Sequence, residues 1–213
     1  AMTAVVGPGK GGSVLAAELE QQGLFFPSGH CRGVRLGGYL LQGGYGWHSR
    51  ALGPAVESVL AIDYVDADGE LRRASPTENA DMYWAARGAG PGFFGVVVRF
   101  HLRLYRRPPV MGMKFAIYPG DRLADVFRWA HSVGPDVPRS VELMILLSRR
   151  IPLVRGPGMM VVGPVFAETL AEARQALGFM ASRPRRARLV TPFVPMKQSW
   201  MYAGTMLHYP DDH

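Results

Sequence analysis

Between residues 27 and 54 the chain carries eight glycines among scattered aromatics. No regular helix or strand sustains that density, because each glycine inside an element costs about 1 kcal/mol relative to alanine. The stretch therefore reads as a loop system whose backbone runs where β-carbons would not fit. Phe26-Pro27-Ser28-Gly29-His30-Cys31 is followed by Leu36-Gly37-Gly38-Tyr39 and then by Gln42-Gly43-Gly44-Tyr45-Gly46. Paired glycines at two places allow main-chain N–H groups to lie against a flat or polyanionic ligand. On residue types alone, a ligand loop and a glycine-rich surface without a ligand are equally good readings.

The flanking sequence has the periodicity that this stretch lacks. Thr3 to Val6 reads as a strand, and Ser13 to Gln22 as a helix with Val14, Leu15 and Leu19 at helical spacing and a stop at Gly23. Val59 to Val65 and Glu70 to Ala74 form a hairpin around Ala67-Asp68-Gly69. Pro76 to Arg87 follows as a helix and Phe93 to Tyr105 as a long strand. Two successive prolines, Pro108 and Pro109, then interrupt pairing. Beyond them come strand Gly112 to Tyr118, helix Arg122 to Val133, strands Val141 to Ser148 and Met159 to Phe166, and helix Thr169 to Ala181. That order is an antiparallel sheet with helices on one face. The segment from Leu189 to His213 closes no obvious element. The predicted class is α+β, with domains at residues 1–107 and 108–213.

Several function classes are disfavoured at this level. Gly7-Pro8-Gly9-Lys10-Gly11-Gly12-Ser13 lies between a strand and a helix as a phosphate loop would, but Lys10 comes too early and Ser13 is three residues on from it instead of directly following, as a nucleotide triphosphate cradle requires. It reads instead as a turn with Ser13 as N-cap. The net charge is +7, yet Arg106-Arg107, Arg149-Arg150 and the run from Arg183 to Arg188 sit at the ends of apolar runs without interleaved aromatics. They read as solvated element ends, so no nucleic-acid partner is predicted. The six histidines show no metal-ligand spacing, and Asp211-Asp212-His213 reads as a frayed end, so no metal is predicted. Trp129, Trp200, Met196 and Met201 read as core or pocket wall. Apolar runs such as Met159 to Ala167 are too short to span a bilayer, and no basic region followed by an apolar one opens the chain. The reading is a soluble chain with no membrane partner, cytoplasmic by default.

The order of motifs is nonetheless specific. Gly-Pro-Gly, a helix, Gly-Leu-x-Phe-Pro-Ser-Gly-x-Cys, Gly-Gly, Gly-Gly-Tyr-Gly, Asp-Tyr-Val-Asp-Ala-Asp-Gly, Met-Tyr-Trp-Ala-x-Arg-Gly and Phe-Gly-Val-Val run from about residue 4 to 105. This order resembles the PCMH-type FAD-binding domain of the vanillyl-alcohol oxidase and berberine bridge enzyme superfamily, particularly its berberine-bridge-like branch. The remainder is similar in pattern to that family's substrate domain. The resemblance implies a partial FAD-binding subdomain, then a partial substrate domain built on an antiparallel sheet.

It also implies site residues. Cys31 occupies the place of the cysteine that can bond to flavin C6. Gly37 and Gly38, with Gln42, Gly43, Gly44, Tyr45 and Gly46, match segments lining the isoalloxazine and pyrophosphate. Gly95, Val96 and Val97 match the strand whose backbone reads the adenine side. Tyr39 stands where relatives often place a histidine beside the ring. Taken by itself, a lone cysteine is most often a small buried hydrophobe, and the covalent role needs a thiolate, which Arg32 or His30 would favour.

The implied activity is FAD-dependent hydride transfer from an alcohol, sugar or amine, with a small-molecule substrate. The family's Gly-Gly-His phosphate loop and its C-terminal segment at the flavin have no counterpart here. The expectation is an incomplete site, whose uncovered faces favour a homo-oligomer. The alternatives are a binding module that keeps the fold without flavin and, less favoured, a phosphate-loop nucleotide binder.

Overall fold

The computed structural model describes residues 2–206, which divide into two compact units, one running to Arg107 and one beginning at Pro108. The first contains β1 (Thr3–Val6), α1 (Gly12–Glu20), β2 (Leu24–Phe25), α2 (Leu36–Leu41), α3 (Ser49–Leu52), β3 (Val59–Val65), β4 (Leu71–Ala74), α4 (Ala80–Ala85), β5 (Val96–Arg103) and β6 (Tyr105–Arg106). Its main sheet has the order β1-β5-β3-β4, every pair antiparallel, and β2 pairs separately with β6. Ile62, Tyr64, Phe100 and Leu102 from the sheet share one core with Leu15 and Leu19 of α1 and with Phe26, Leu36 and Leu40. The glycine-rich region therefore contributes apolar anchors to the core as well as surface loop.

The turn between β3 and β4 is closed by Asp66. Its carboxylate accepts from the N–H groups of Asp68 (3.0 Å) and Glu70 (2.9 Å) and pairs with Arg72, while Gly69 supplies the left-handed backbone at φ +82°. α4 is shorter than the predicted Pro76 to Arg87 helix. A turn in which the Ser75 N–H donates to the Glu78 carbonyl takes up the start, and Asn79, at φ 44°, donates its side-chain amide to the Arg73 carbonyl.

The second unit contains β7 (Val110–Pro119), α5 (Leu123–Val133), β8 (Met144–Ser148), β9 (Gly158–Ala167), α6 (Leu170–Ala176), β10 (Leu189–Val190), β11 (Val194–Pro195) and α7 (Gln198–Met206). Its sheet has the order β10-β7-β9-β8, with β11 also on β7, and every pair is antiparallel. Alternation along β7 and β9 directs Ala116, Tyr118, Met159, Val161 and Val165 toward Val126 and Trp129 of α5 and Ala173 of α6. α6 begins at an N-cap that the sequence marks clearly: the Thr169 hydroxyl accepts from the Glu172 N–H at 3.1 Å.

Four expectations need correction. Ser13 does not cap α1. Gly11 is the N-cap, and the Ser13 hydroxyl donates to the Arg32 carbonyl at 3.0 Å, tying the helix to the cysteine segment. The glycine-rich stretch is not all loop, since it contains α2 and α3. The last segment is not featureless: β10 and β11 pair with β7, and α7 follows. Trp200 is not core, because it stands 71% exposed, whereas Trp129 and Met201 are buried. His208 and Asp211-Asp212-His213 lie outside the described residues.

Candidate functional site

The site of interest forms where two glycine-rich segments are zipped together by main-chain bonds. The Gly12 N–H donates to the Val34 carbonyl, Leu36 N–H to Lys10, and Gly37 N–H to Pro8. This lays the Gly7 to Gly12 turn along the start of α2. Lys10 is engaged in an ion pair with Glu18 on the surface of α1, so it is not presented as a phosphate-loop lysine would be.

The glycines do different jobs. At Gly37 a β-carbon would come within 2.9 Å of the Pro8 side chain, so this glycine admits the turn rather than a ligand. Gly29, Gly44 and Gly46 all make room for Tyr39: β-carbons at Gly29 and Gly44 would lie 3.1 and 2.9 Å from its ring, and one at Gly46 would collide with its hydroxyl and with the Ser28 carbonyl. The Tyr39 hydroxyl donates to the Pro27 carbonyl at 2.6 Å. The tyrosine is thus a strut between α2 and the cysteine segment, and its hydroxyl is spent on the main chain. Gly38 and Gly43 have nothing within 4 Å of a β-carbon position. Gly43 takes φ +92° to make its turn, and Gly38 is exposed.

An open cleft of about 470 Å³ lies on this surface, lined by Val34, Arg35, Gly38, Tyr39, Gln42, Gly44 and Tyr45. Gln42 is held by packing over Gly90, where a β-carbon would meet its Cγ at 2.9 Å. Tyr45 is 62% exposed. Arg35 donates one guanidinium N–H to the Gly9 carbonyl at 3.3 Å and has no carboxylate partner among the described residues. Sequence reasoning passed over Val34 and Arg35. The available signal was a cation one residue ahead of Leu36-Gly37-Gly38, where an anionic ligand would meet it.

Cys31, Gly37, Gly43 and Gly46 border this region without lining the cleft, and neither do Gly95, Val96 and Val97. Gly95 is required by packing, since a β-carbon there would meet the Tyr64 ring at 2.9 Å. Val97 is core and Val96 exposed. Cys31 is a half-buried free thiol, and burial pushes its pKa above the ordinary value. That opposes the thiolate which Arg32 and His30 were expected to favour. The His30 ring instead packs edge-on against Trp47, with centroids 4.5 Å apart. Among the described residues no group of His, Cys, Asp and Glu could hold a metal ion.

Bare backbone at Gly38, a cation at Arg35 and an aromatic face at Tyr45 fit a ligand that combines anionic, polar and flat aromatic parts, as a flavin dinucleotide does. Residues 1–75 match the family described as the FAD binding domain. The chain is 36% identical over 166 residues to the FAD-linked oxidoreductase nodO of Hypoxylon pulicicidum, covering 78% of this chain and 37% of that protein. Among solved structures it is similar to the carbohydrate oxidase of Microdochium nivale (TM-score 0.75, 27% identity, 99% of this chain and 43% of that one). It is also similar to the berberine-bridge-like enzyme 1 of Physcomitrella patens (TM-score 0.81, 25% identity, 95% and 44%). Part of the chain thus matches the FAD binding domain family, and the proteins it is similar to are FAD-linked oxidoreductases, a carbohydrate oxidase and a berberine-bridge-like protein. The chain spans about two fifths of the length of these relatives.

Proposed function

We propose that this protein works as an FAD-dependent oxidoreductase, with the first unit contributing to the flavin site and the second to the substrate domain. The observation that carries the proposal is the cleft over α2, lined together by exposed Gly38, Arg35 and Tyr45. When bound, FAD supplies the hydride-accepting chemistry. The chain's own residues position and enclose it. Gly38 lets the cofactor approach the main chain, Arg35 offsets anionic charge, and Tyr45 gives an apolar wall. Tyr39 ties α2 to the segment that leads to Cys31 through its bond to Pro27. Cys31 would be the attachment point for the ring, as the resemblance of its segment implies.

The substrate class is proposed as a small alcohol, sugar or amine, in keeping with the carbohydrate oxidase among its relatives. The test is the visible spectrum of the purified protein, then anaerobic bleaching by a panel of alcohols, sugars and amines. Flavin bands that one substrate class bleaches are the expected result. A colourless protein that gains no thermal stability from added FAD would instead favour a binding module that kept the fold without the flavin.

A further inference from the structure

The second unit carries thirteen Lys and Arg against six Asp and Glu between residues 108 and 206, and the topology sorts them. β8 ends, β9 begins and β7 ends at one end of the sheet, where Ser148 and Pro119 flank Gly158. The loop of residues 149–157 leaves from this end, anchored where the Gly120 N–H donates to the Pro157 carbonyl at 2.9 Å. Residues 183–188 arrive at the same end. The Tyr118 hydroxyl holds the Pro184 carbonyl at 2.8 Å, and the Arg188 N–H donates to Ile117 at 2.8 Å. Two arginine runs that sequence separates by more than a strand and a helix thus share one surface, about 15 Å across four strands.

Six of these arginines, Arg149, Arg150, Arg155, Arg185, Arg186 and Arg188, are exposed and have no carboxylate partner among the described residues. Four of the six acidic residues lie elsewhere: Asp136, Glu142, Glu168 and Glu172 are toward the opposite end, before β8 and after β9. Asp121 and Asp125 follow β7 at the arginine end, where Asp125 pairs with Arg122 and Arg128 and with none of these six arginines. The first loop also has an apolar tip. Ile151, Pro152, Leu153 and Val154 lie between Arg150 and Arg155, and Leu153 stands 65% exposed in left-handed backbone at φ 68°. An apolar tip flanked by cations does not match a phosphodiester backbone, which offers nothing for the leucine to enter. It does match a bilayer surface, where arginines meet headgroup phosphates and a short apolar tip enters the acyl boundary.

We propose that this end of the second unit is a peripheral docking surface for an anionic lipid bilayer. Contact at headgroup depth requires no spanning helix, and none of the described helices is long and apolar enough to be one. The proposal is independent of the flavin reading.

The test is co-sedimentation of the full chain with phosphatidylcholine vesicles, with and without about 30% phosphatidylserine, near physiological salt. Binding to the anionic vesicles alone is expected. Each arginine near such a surface strengthens binding by about fivefold, so R149Q/R150Q/R155Q weakens it by roughly 100-fold. R185Q/R186Q/R188Q, on the other loop, produces a comparable loss and guards against a local folding defect in the first variant. Leu153→Ser weakens vesicle binding by about tenfold. Equal binding to both vesicle types, binding to neither, or anionic binding that both triple variants retain would overturn the proposal. So would tighter binding to duplex DNA that Leu153→Ser leaves intact, which would assign the surface to nucleic acid.

Discussion

Tyr39 donates its hydroxyl proton to the carbonyl of Pro27 at 2.6 Å, and this bond fixes α2 to the segment that reaches Cys31 four residues later. Gly29 and Gly44 make room for the ring of that tyrosine, and Gly46 for its hydroxyl and the Ser28 carbonyl. Removing the hydroxyl and removing the ring should therefore differ. Tyr39→Phe leaves the Pro27 carbonyl without this donor and is expected to cost about 1 kcal/mol. Tyr39→Ala opens a cavity lined by glycine backbone that cannot fill it, at about 3–5 kcal/mol. Urea denaturation of both variants checks the order. Equal losses would mean the ring is not the strut.

Two glycines in the same region should respond in opposite ways. Gly44→Ala places a β-carbon 2.9 Å from the Tyr39 ring and 3.0 Å from Ala55 at φ +73°, so a loss of roughly 2–4 kcal/mol is expected. Gly38→Ala meets open space in a helical position, and should be neutral or stabilising by less than about 1 kcal/mol. Its effect should fall on FAD affinity, because the methyl projects into the cleft. Chemical denaturation and a flavin fluorescence titration separate the two outcomes.

Burial raises the pKa of Cys31, so alkylation by iodoacetamide at neutral pH should be slower than for an exposed cysteine. As pH rises past the ordinary thiol range the unfolded chain ionises first. The protein therefore loses stability between that value and the raised one. Cys31→Ala should abolish this alkaline loss, seen as a smaller fall in melting temperature, and should remove any flavin attached at C6. Flavin that stays covalently bound in Cys31→Ala would sink the attachment proposal.

Asp66 shifts in the other direction. The hydrogen bond from Arg72, with the Glu70 and Asp68 N–H groups, holds its carboxyl below the ordinary aspartate range. A depressed folded pKa means the contribution is complete above the ordinary value and is lost as pH falls through the folded one. Asp66→Asn should lower the melting temperature at neutral pH, and the gap to the parent should close on acidification below about pH 4. A gap that persists at low pH would assign the effect to packing.

The long elements were legible in the sequence because periodicity is a local property. β5, β7, β9 and α5 stand close to their predicted places, since alternation or helical spacing over eight or more residues leaves few alternatives. α2, β10, β11 and α7 were missed for the converse reason. β10 and β11 are two residues each and become strands only because β7 presents an edge to them. Loop closure decides such pairings, and a window of sequence contains no record of it.

The glycine-rich region divides along the same line. Its composition alone indicated a backbone that runs where β-carbons would not fit, and the motif order supplied the resemblance that implies FAD. Which glycine serves which neighbour was decided by tertiary structure: Pro8 at Gly37, the Tyr39 ring at Gly29 and Gly44, the Tyr39 hydroxyl and Ser28 carbonyl at Gly46, and the open cleft at Gly38. The absence of a side chain shows in a sequence as vacant space, and only the folded chain specifies what occupies that space.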